Sequence, residues 1–238
     1  MEIQEYLENL NNNGNVSCTT LLAIRSCFDQ VLQVLEYTLF QPGLFLDYLA
    51  SPYKTAKYVT PMDTFIDFQN RRAVVVEGHE NATMTFTAVH DIAGVVTAAV
   101  DLKSQWPKIG GIRGNRVTIW QIIKIGEKLR GWSDTRNNEK SQCSKRDIGQ
   151  PFTIEKVRME DLEAGNLKTS WTLGRSHPSV AQEQADQLAD MIKTVLIGTL
   201  LSSAKGAWDV SDDFNQLLPE YKFIAIQDFL LKAWEGKP

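Results

Sequence analysis

Cysteine is scarce, charge is balanced and apolar runs are short, and each shortage removes a class of protein. The three cysteines, Cys18, Cys27 and Cys143, are an odd number at wide spacings. They suggest neither a disulfide framework nor a Cys-based zinc site and fit the reducing cytosol. The three histidines, His79, His90 and His177, make no H-x-x-x-H pair and no cluster with carboxylates, so no metal is expected. With 25 basic against 29 acidic residues, a net charge of -4 and a pI near 5.5, there is no basic stripe for a phosphate backbone, and nucleic acid is a poor partner. No stretch reaches the roughly 20 apolar residues that span a bilayer. The nearest, Met191 to Ala204, carries Lys193 and reads as a buried helix, so no membrane association is expected. The start shows no apolar signal core, which points to a cytoplasmic protein.

Glycine is present but not where phosphate chemistry needs it. A dinucleotide or nucleotide site places glycines between a strand and a helix, because only they let main-chain amides crowd a diphosphate. Neither G-x-G-x-x-G, nor G-x-x-G-x-x-G, nor a P-loop occurs. The richest cluster, GGIRG from Gly110 to Gly114, precedes a strand and reads as a tight turn. The nucleophile elbow G-x-S-x-G is missing as well. Paired carboxylates at Asp212 and Asp213, Glu160 and Asp161, and Glu183 and Asp186 stand near predicted helix starts or exposed faces, where acidic groups favour the helix dipole. No catalytic residue follows from these patterns.

What remains is a globular α/β pattern, with 43% hydrophobic and 23% charged residues. Met1 to Leu10 reads as a helix halted by the Asn-rich loop Asn11 to Asn15, and a weaker helical pattern follows. Leu35 to Phe40 has the content of a strand buried on both faces. Pro42 ends it and Gly43 permits a sharp change of direction. LFLDYL then starts a helix that stops at Ser51-Pro52. Two short strands flank Gln69 to Arg72, and ATMTFTAV is a further strand. HDIAGVVTAAVDL sets Ile92, Val95, Val96, Ala99 and Leu102 on one helical face, with Asp91 in the first turn. The next strand and helix have Thr118 as N-cap and Gly131 as stop. PFTIEKV is a strand, MEDLEAG a short helix ended by glycine, and Val180 to Ser203 a long helix, before DDFNQLL and AIQDFLLKAW. The alternation indicates α/β.

Taken in order, EYTLFQPGLFLDYL, RRAVVVEGHENATMTFTAVHDIAGVVTAAVDL, IGGIRGNRVTIWQIIKIGEKLRG and LLPEYKFIAIQDFLLKAW resemble the second half of the NmrA-like, isoflavone-reductase-like family of atypical short-chain dehydrogenases. The resemblance covers about Leu35 to Trp234. It implies a partial Rossmann-like, NAD(P)-binding α/β fold without its first strands and glycine-rich turn, joined to a smaller α/β substrate domain. Residues 1–50 would be the Rossmann remnant, and residues 51–238 mainly the substrate domain with segments returning to the sheet. MEIQEYLENLN is similar to the helix that follows the family's proton-transfer lysine, so that lysine and the phosphate contacts are expected upstream of the matched part. The tract 12–33 has no counterpart in the family pattern and reads either as a surface insertion or as retained intronic sequence.

The family's loop after its sixth sheet strand passes the nicotinamide, and Phe40, Gln41, Pro42, Gly43 and Leu44 match it. Phe45 and Tyr48 would face the substrate cavity, and Trp132 is a third pocket candidate. The resemblance implies NADP as cofactor and reduction of a small aromatic or polyketide-type metabolite, in secondary metabolism. The alternatives are a ligand-binding or regulatory protein without redox activity, or an inactive truncated product. A strand buried on both faces but lacking most neighbours would need a protein partner or a second copy along the open sheet edge.

Overall fold

A computed structural model describes residues 37–131, 151–171 and 185–237, with only the backbone described for 131 and 185–188. Two compact units result. One comprises Met1–Leu39 with Lys103–Ile109; the other comprises Phe40–Leu102 with Gly110–Pro238. In the first, the Leu39 amide donates to the Lys108 carbonyl at 3.0 Å. Among the described residues, the second holds nearly all the regular structure.

Strand β1 (Leu39–Gln41) forms a two-stranded ladder with β6 (Ile109–Gly111). A three-stranded sheet has the order β2 (Leu44–Phe45), β5 (Thr83–Thr87), β7 (Asn115–Thr118). Another has the order β3 (Ile66–Asp67), β4 (Arg72–Val76), β8 (Thr153–Val157). A 3-10 turn, η1 (Leu46–Ala50), follows β2. The helices are α1 (Val89–Val100), α2 (Ile119–Gly131), α3 (Met159–Glu163), α4 (Ala185–Ala204), α5 (Asp213–Leu217) and α6 (Ile226–Trp234).

Pattern explains most of these elements. Ala73 to Val76 form an unbroken buried run in β4, as a strand covered on both faces requires. It pairs antiparallel with β3 and parallel with β8. Asp67 shapes the β3–β4 turn, accepting from the Asn70 amide at 3.0 Å and the Arg72 guanidinium at 2.8 Å. In α2, Ile119, Ile122 and Ile123 make a buried stripe, each side chain contributing about 1.5–3 kcal/mol. Its start is a capping box: the Thr118 hydroxyl accepts the Gln121 amide at 3.1 Å and the Gln121 side-chain carbonyl accepts the Thr118 amide at 2.8 Å. The core joins β4, β5 and α2 to Leu200 of α4 and Leu230 of α6.

Three expectations are corrected. The strand expected at Leu35 to Phe40 is Leu39–Gln41 among the described residues, and it is not covered on both faces: Leu39 is 57% exposed, and Gln41 is exposed too. Its ladder has two strands among the described residues. The apolar stretch from Met191 is buried on one face alone, with Leu196 and Leu200 inside and Met191 and Val195 outside. Gly110 and Gly111 belong to β6 rather than to a turn. β6 pairs with β1, and the Gly111 amide donates to Asp213 at 3.1 Å. The helix expected from Val180 to Ser203 is described over Ala185–Ala204, and residues 180–184 lie outside the described residues. The expectations for Met1 to Gln33, Trp132, His177 and Glu183 lie outside the described residues.

Candidate functional site

Strands β2 and β5 run parallel, with Leu44 opposite Phe86 and Phe45 opposite Thr87. Both leave the sheet at one end and turn at once into helix, β2 into η1 and β5 into α1. Carboxyl ends of parallel strands are where open α/β sheets hold ligands.

Three groups fix this end. Gly43 adopts φ +71°, and a Cβ built on it would lie 2.3 Å from the Thr85 carbonyl oxygen, so only glycine lets the turn sit against β5. The buried Thr87 hydroxyl lies 2.7 Å from the Pro42 carbonyl and 3.1 Å from that of Ile112, its one hydrogen serving either, while it accepts the Gly114 amide at 3.2 Å. Asp47, 5% exposed, accepts the Thr55 hydroxyl at 2.6 Å on one oxygen and the Val89 amide, at the start of α1, at 2.8 Å on the other.

Asp91, 1% exposed, lies one turn into α1. It does more than favour the helix dipole: it accepts the Ile224 amide at 2.9 Å and the Tyr221 hydroxyl at 3.3 Å, which ties the segment before α6 to α1. Burial pushes the Asp91 carboxyl above the ordinary range, against the Ile224 and Tyr221 hydrogen bonds, and the charge of Asp47 adds a smaller upward push. Burial, then the charge of Asp47, raises the Tyr48 phenol, which therefore stays a protonated donor at neutral pH. Neither Asp47 nor Asp91 has a basic partner in a salt bridge among the described residues.

Of the residues singled out in the sequence, Pro42, Gly43, Leu44, Phe45 and Tyr48 come together here. The half-buried rings of Phe45 and Tyr48 lie 5.4 Å apart, tilted by 33°. Phe40 is instead stacked on Phe214 of α5 at 4.6 Å, and Gln41 is exposed, its carbonyl accepting the Ile112 amide at 2.9 Å. Sequence reading missed Asp47, Thr87 and Tyr221. Asp47 had one usable signal, a lone acidic residue inside LFLDYL.

A diphosphate needs free main-chain amides at a strand-to-helix turn. At the turn from β5 into α1 the Val89 amide is taken by Asp47, and Asp91 adds a second carboxylate. At the turn from β7 into α2 the capping box takes the Thr118 and Gln121 amides. The helix after β8 has only five residues. None of these junctions fits a dinucleotide diphosphate. A concavity of about 290 Å³ at the other end of β5, lined by His79, Asn81, Thr83, Ser203 and Asp209 among others, includes none of the cofactor or substrate candidates from Phe40 to Tyr48. Among the described residues no group of three or more His, Cys, Asp or Glu could hold a metal, and no helix is long and apolar enough to cross a membrane.

No protein-family model matches the chain. It is 24% identical over 209 residues to "Oxidoreductase swnN" of Arthroderma benhamiae, covering 85% of this chain and 63% of that protein. It is likewise 24% identical over 206 residues to "Oxidoreductase swnN" of Metarhizium robertsii, covering 85% and 53%. A third relative, "Oxidoreductase BOA1" of Botryotinia fuckeliana, is 31% identical over 109 residues, 45% of this chain and 35% of that one. The chain thus spans less than two thirds of the length of each. Among solved structures, AtPrR2 with NADP+ and (+)pinoresinol aligns at TM-score 0.54 and 14% identity over 90% of this chain and 56% of that one. An isoflavone reductase aligns at 0.51 and 15% over 92% and 60%. The fold is therefore α/β with open sheets, a part of the Rossmann-like fold of these neighbours.

Proposed function

We propose that this chain is the C-terminal part of an NmrA-like, isoflavone-reductase-like oxidoreductase that acts on a small aromatic or polyketide-type metabolite in secondary metabolism. The observation that carries the reading is the shared end of β2 and β5, where Gly43 locks the turn and Phe45 and Tyr48 present an aromatic pair. The names of the relatives as oxidoreductases, and a fold neighbour solved with NADP+ and (+)pinoresinol, support the same class. In this reading Phe40, Gln41, Pro42, Gly43 and Leu44 border the nicotinamide of NADP. Phe45, Tyr48 and Trp132 touch the substrate. Residues 1–50 belong with the dinucleotide half and residues 51–238 mainly with the substrate half, and the tract 12–33 is either an insertion or retained intronic sequence. A bound NADPH would supply the hydride; the residues described supply the ligand-facing end, and the diphosphate must be held elsewhere. The cytosol is the proposed setting, on the cysteine pattern. A second copy of the chain over the exposed side chains of Leu39 and Ile109 is proposed too, and size-exclusion chromatography tests it.

A second reading, ligand binding without redox chemistry, is favoured by the occupied helix amides. Fluorescence titration of the purified chain with NADPH separates the two: saturable micromolar binding favours the reductase, and none favours the binder. Both readings require an aromatic ligand to bind, with loss of affinity in Phe45→Ala and Tyr48→Ala. Unchanged affinity in both variants would sink them together.

A further inference from the structure

We propose that Asp47 sets the charge specificity of the aromatic pair, so that this end of the sheet accepts neutral or cationic aromatic ligands and rejects anionic ones. The inference rests on the reading that Phe45 and Tyr48 touch the ligand. Asp47 lies within η1, immediately before Tyr48 and two residues after Phe45. Both its oxygens are held, one by Thr55 and one by the Val89 amide, so the carboxylate cannot swing away. Asp91, also buried, lies in the first turn of the helix whose start Asp47 caps. Among the described residues no cation pairs with either in a salt bridge.

The physical consequence follows from three facts. Buried charges are screened far less than exposed ones. The favourable field of the α1 N-terminus, which elsewhere attracts anions, is already met by the protein's own carboxylate. The Tyr48 phenol stays protonated and donates to an uncharged acceptor such as a carbonyl or hydroxyl oxygen. A ring stacked on Phe45 therefore gains from dispersion and from the phenol, whereas a carboxylate or phosphate on that ring meets fixed negative charge that no salt bridge among the described residues neutralises, His90 beside Asp91 being the one basic group that acts on the Asp91 carboxyl.

The test uses the full chain and three probes with one ring system, titrated by calorimetry at pH 7.5: 2-naphthol, 2-naphthoate and 2-naphthylmethylamine. The expected order is amine at least equal to naphthol, and naphthol at least tenfold tighter than naphthoate. In Asp47→Asn, whose amide still accepts from Val89 and donates to Thr55, the ratio of naphthol to naphthoate affinity is expected to fall severalfold. Equal affinity for the three probes in the unaltered chain overturns the charge assignment and leaves the aromatic site standing, provided Phe45→Ala weakens naphthol. An unchanged ratio in a folded Asp47→Asn variant overturns it too. If none of the probes binds, the reading of Phe45 and Tyr48 fails and the inference fails with it.

Discussion

Gly43 lies against the backbone of Thr85 so closely that an added methyl group would sit 2.3 Å from the carbonyl oxygen and 2.9 Å from the carbonyl carbon. Two penalties coincide there, the positive φ and the clash with a strand that cannot move without breaking its ladder. Gly43→Ala is expected to cost more than about 3 kcal/mol, or to prevent folding. Gly78, at φ +79° with nothing within 4 Å of the added methyl, is the control. Gly78→Ala is expected to cost only about 1–2 kcal/mol, the backbone part alone. Urea unfolding of the two variants checks the difference, and equal losses would refute the role given to Thr85.

Asp91 gives a pH signature. Its folded-state pKa is raised by burial, so the wild-type chain is penalised at neutral pH, and the penalty fades as pH falls toward the unfolded value of about 3.9. Asp91→Asn, which keeps an acceptor for Ile224, is expected to raise Tm at pH 7.5, with the advantage shrinking toward pH 4. Glu80, Asp209 and Asp213 have lowered values, held down first by hydrogen bonds from Lys156, Arg116 and Ser211. They lose stability on acidification in both proteins alike, so the difference between the two melts isolates Asp91. A gap that widens on acidification would contradict the raised pKa.

The capping box of α2 predicts a modest, reciprocal effect. Thr118→Ala and Gln121→Ala each remove one side-chain bond to an amide at the helix start, and each is expected to cost about 1 kcal/mol. The double variant is expected to cost less than the two losses added, because the bonds support each other. Chemical denaturation of the three proteins measures the coupling.

Trp234 joins the last helix to the core. It is 5% exposed, its indole N–H donates to the Leu49 carbonyl at 3.2 Å, and its ring stacks on Phe68 and meets the Tyr53 ring edge-on. Trp234→Ala is expected to cost about 3–5 kcal/mol. Trp234→Phe keeps most of the packing and leaves the Leu49 carbonyl without its donor, at about 1–3 kcal/mol. Both variants lose the indole donor, so their difference measures the packing, and equal losses in thermal melts would contradict the role given to the stacked rings.

The parts legible in the sequence were those with local causes. The Ala-Val-Val-Val run of β4, the alternating threonines of β5 and the Thr-x-x-Gln start of α2 each carry their own signal, and the Pro-Gly pair announced the turn at Gly43. What escaped depended on distant partners. The meaning of Asp47 comes from an amide 42 residues later, and that of Asp91 from an amide 133 residues later. The Gly110–Gly111 pair lies in a strand laddered with β1, and the Gly111 amide bonds to Asp213, 102 residues beyond it. The helix carrying Met191 and Val195 was judged by apolar content, which cannot tell which side of a helix faces water.

The parallel pairing of β4 with β8 has a consequence for biosynthesis. Arg72 is matched to Thr153 and Val76 to Val157, partners separated by about eighty residues of chain. At ribosomal rates of about 5–20 residues per second, β4 waits roughly 4–16 s for its neighbour to be made. Throughout that interval the edge of β4 that β8 will cover has no partner strand on the nascent polypeptide, which leaves Val74, Val75 and Val76 open to pairing with the wrong strand.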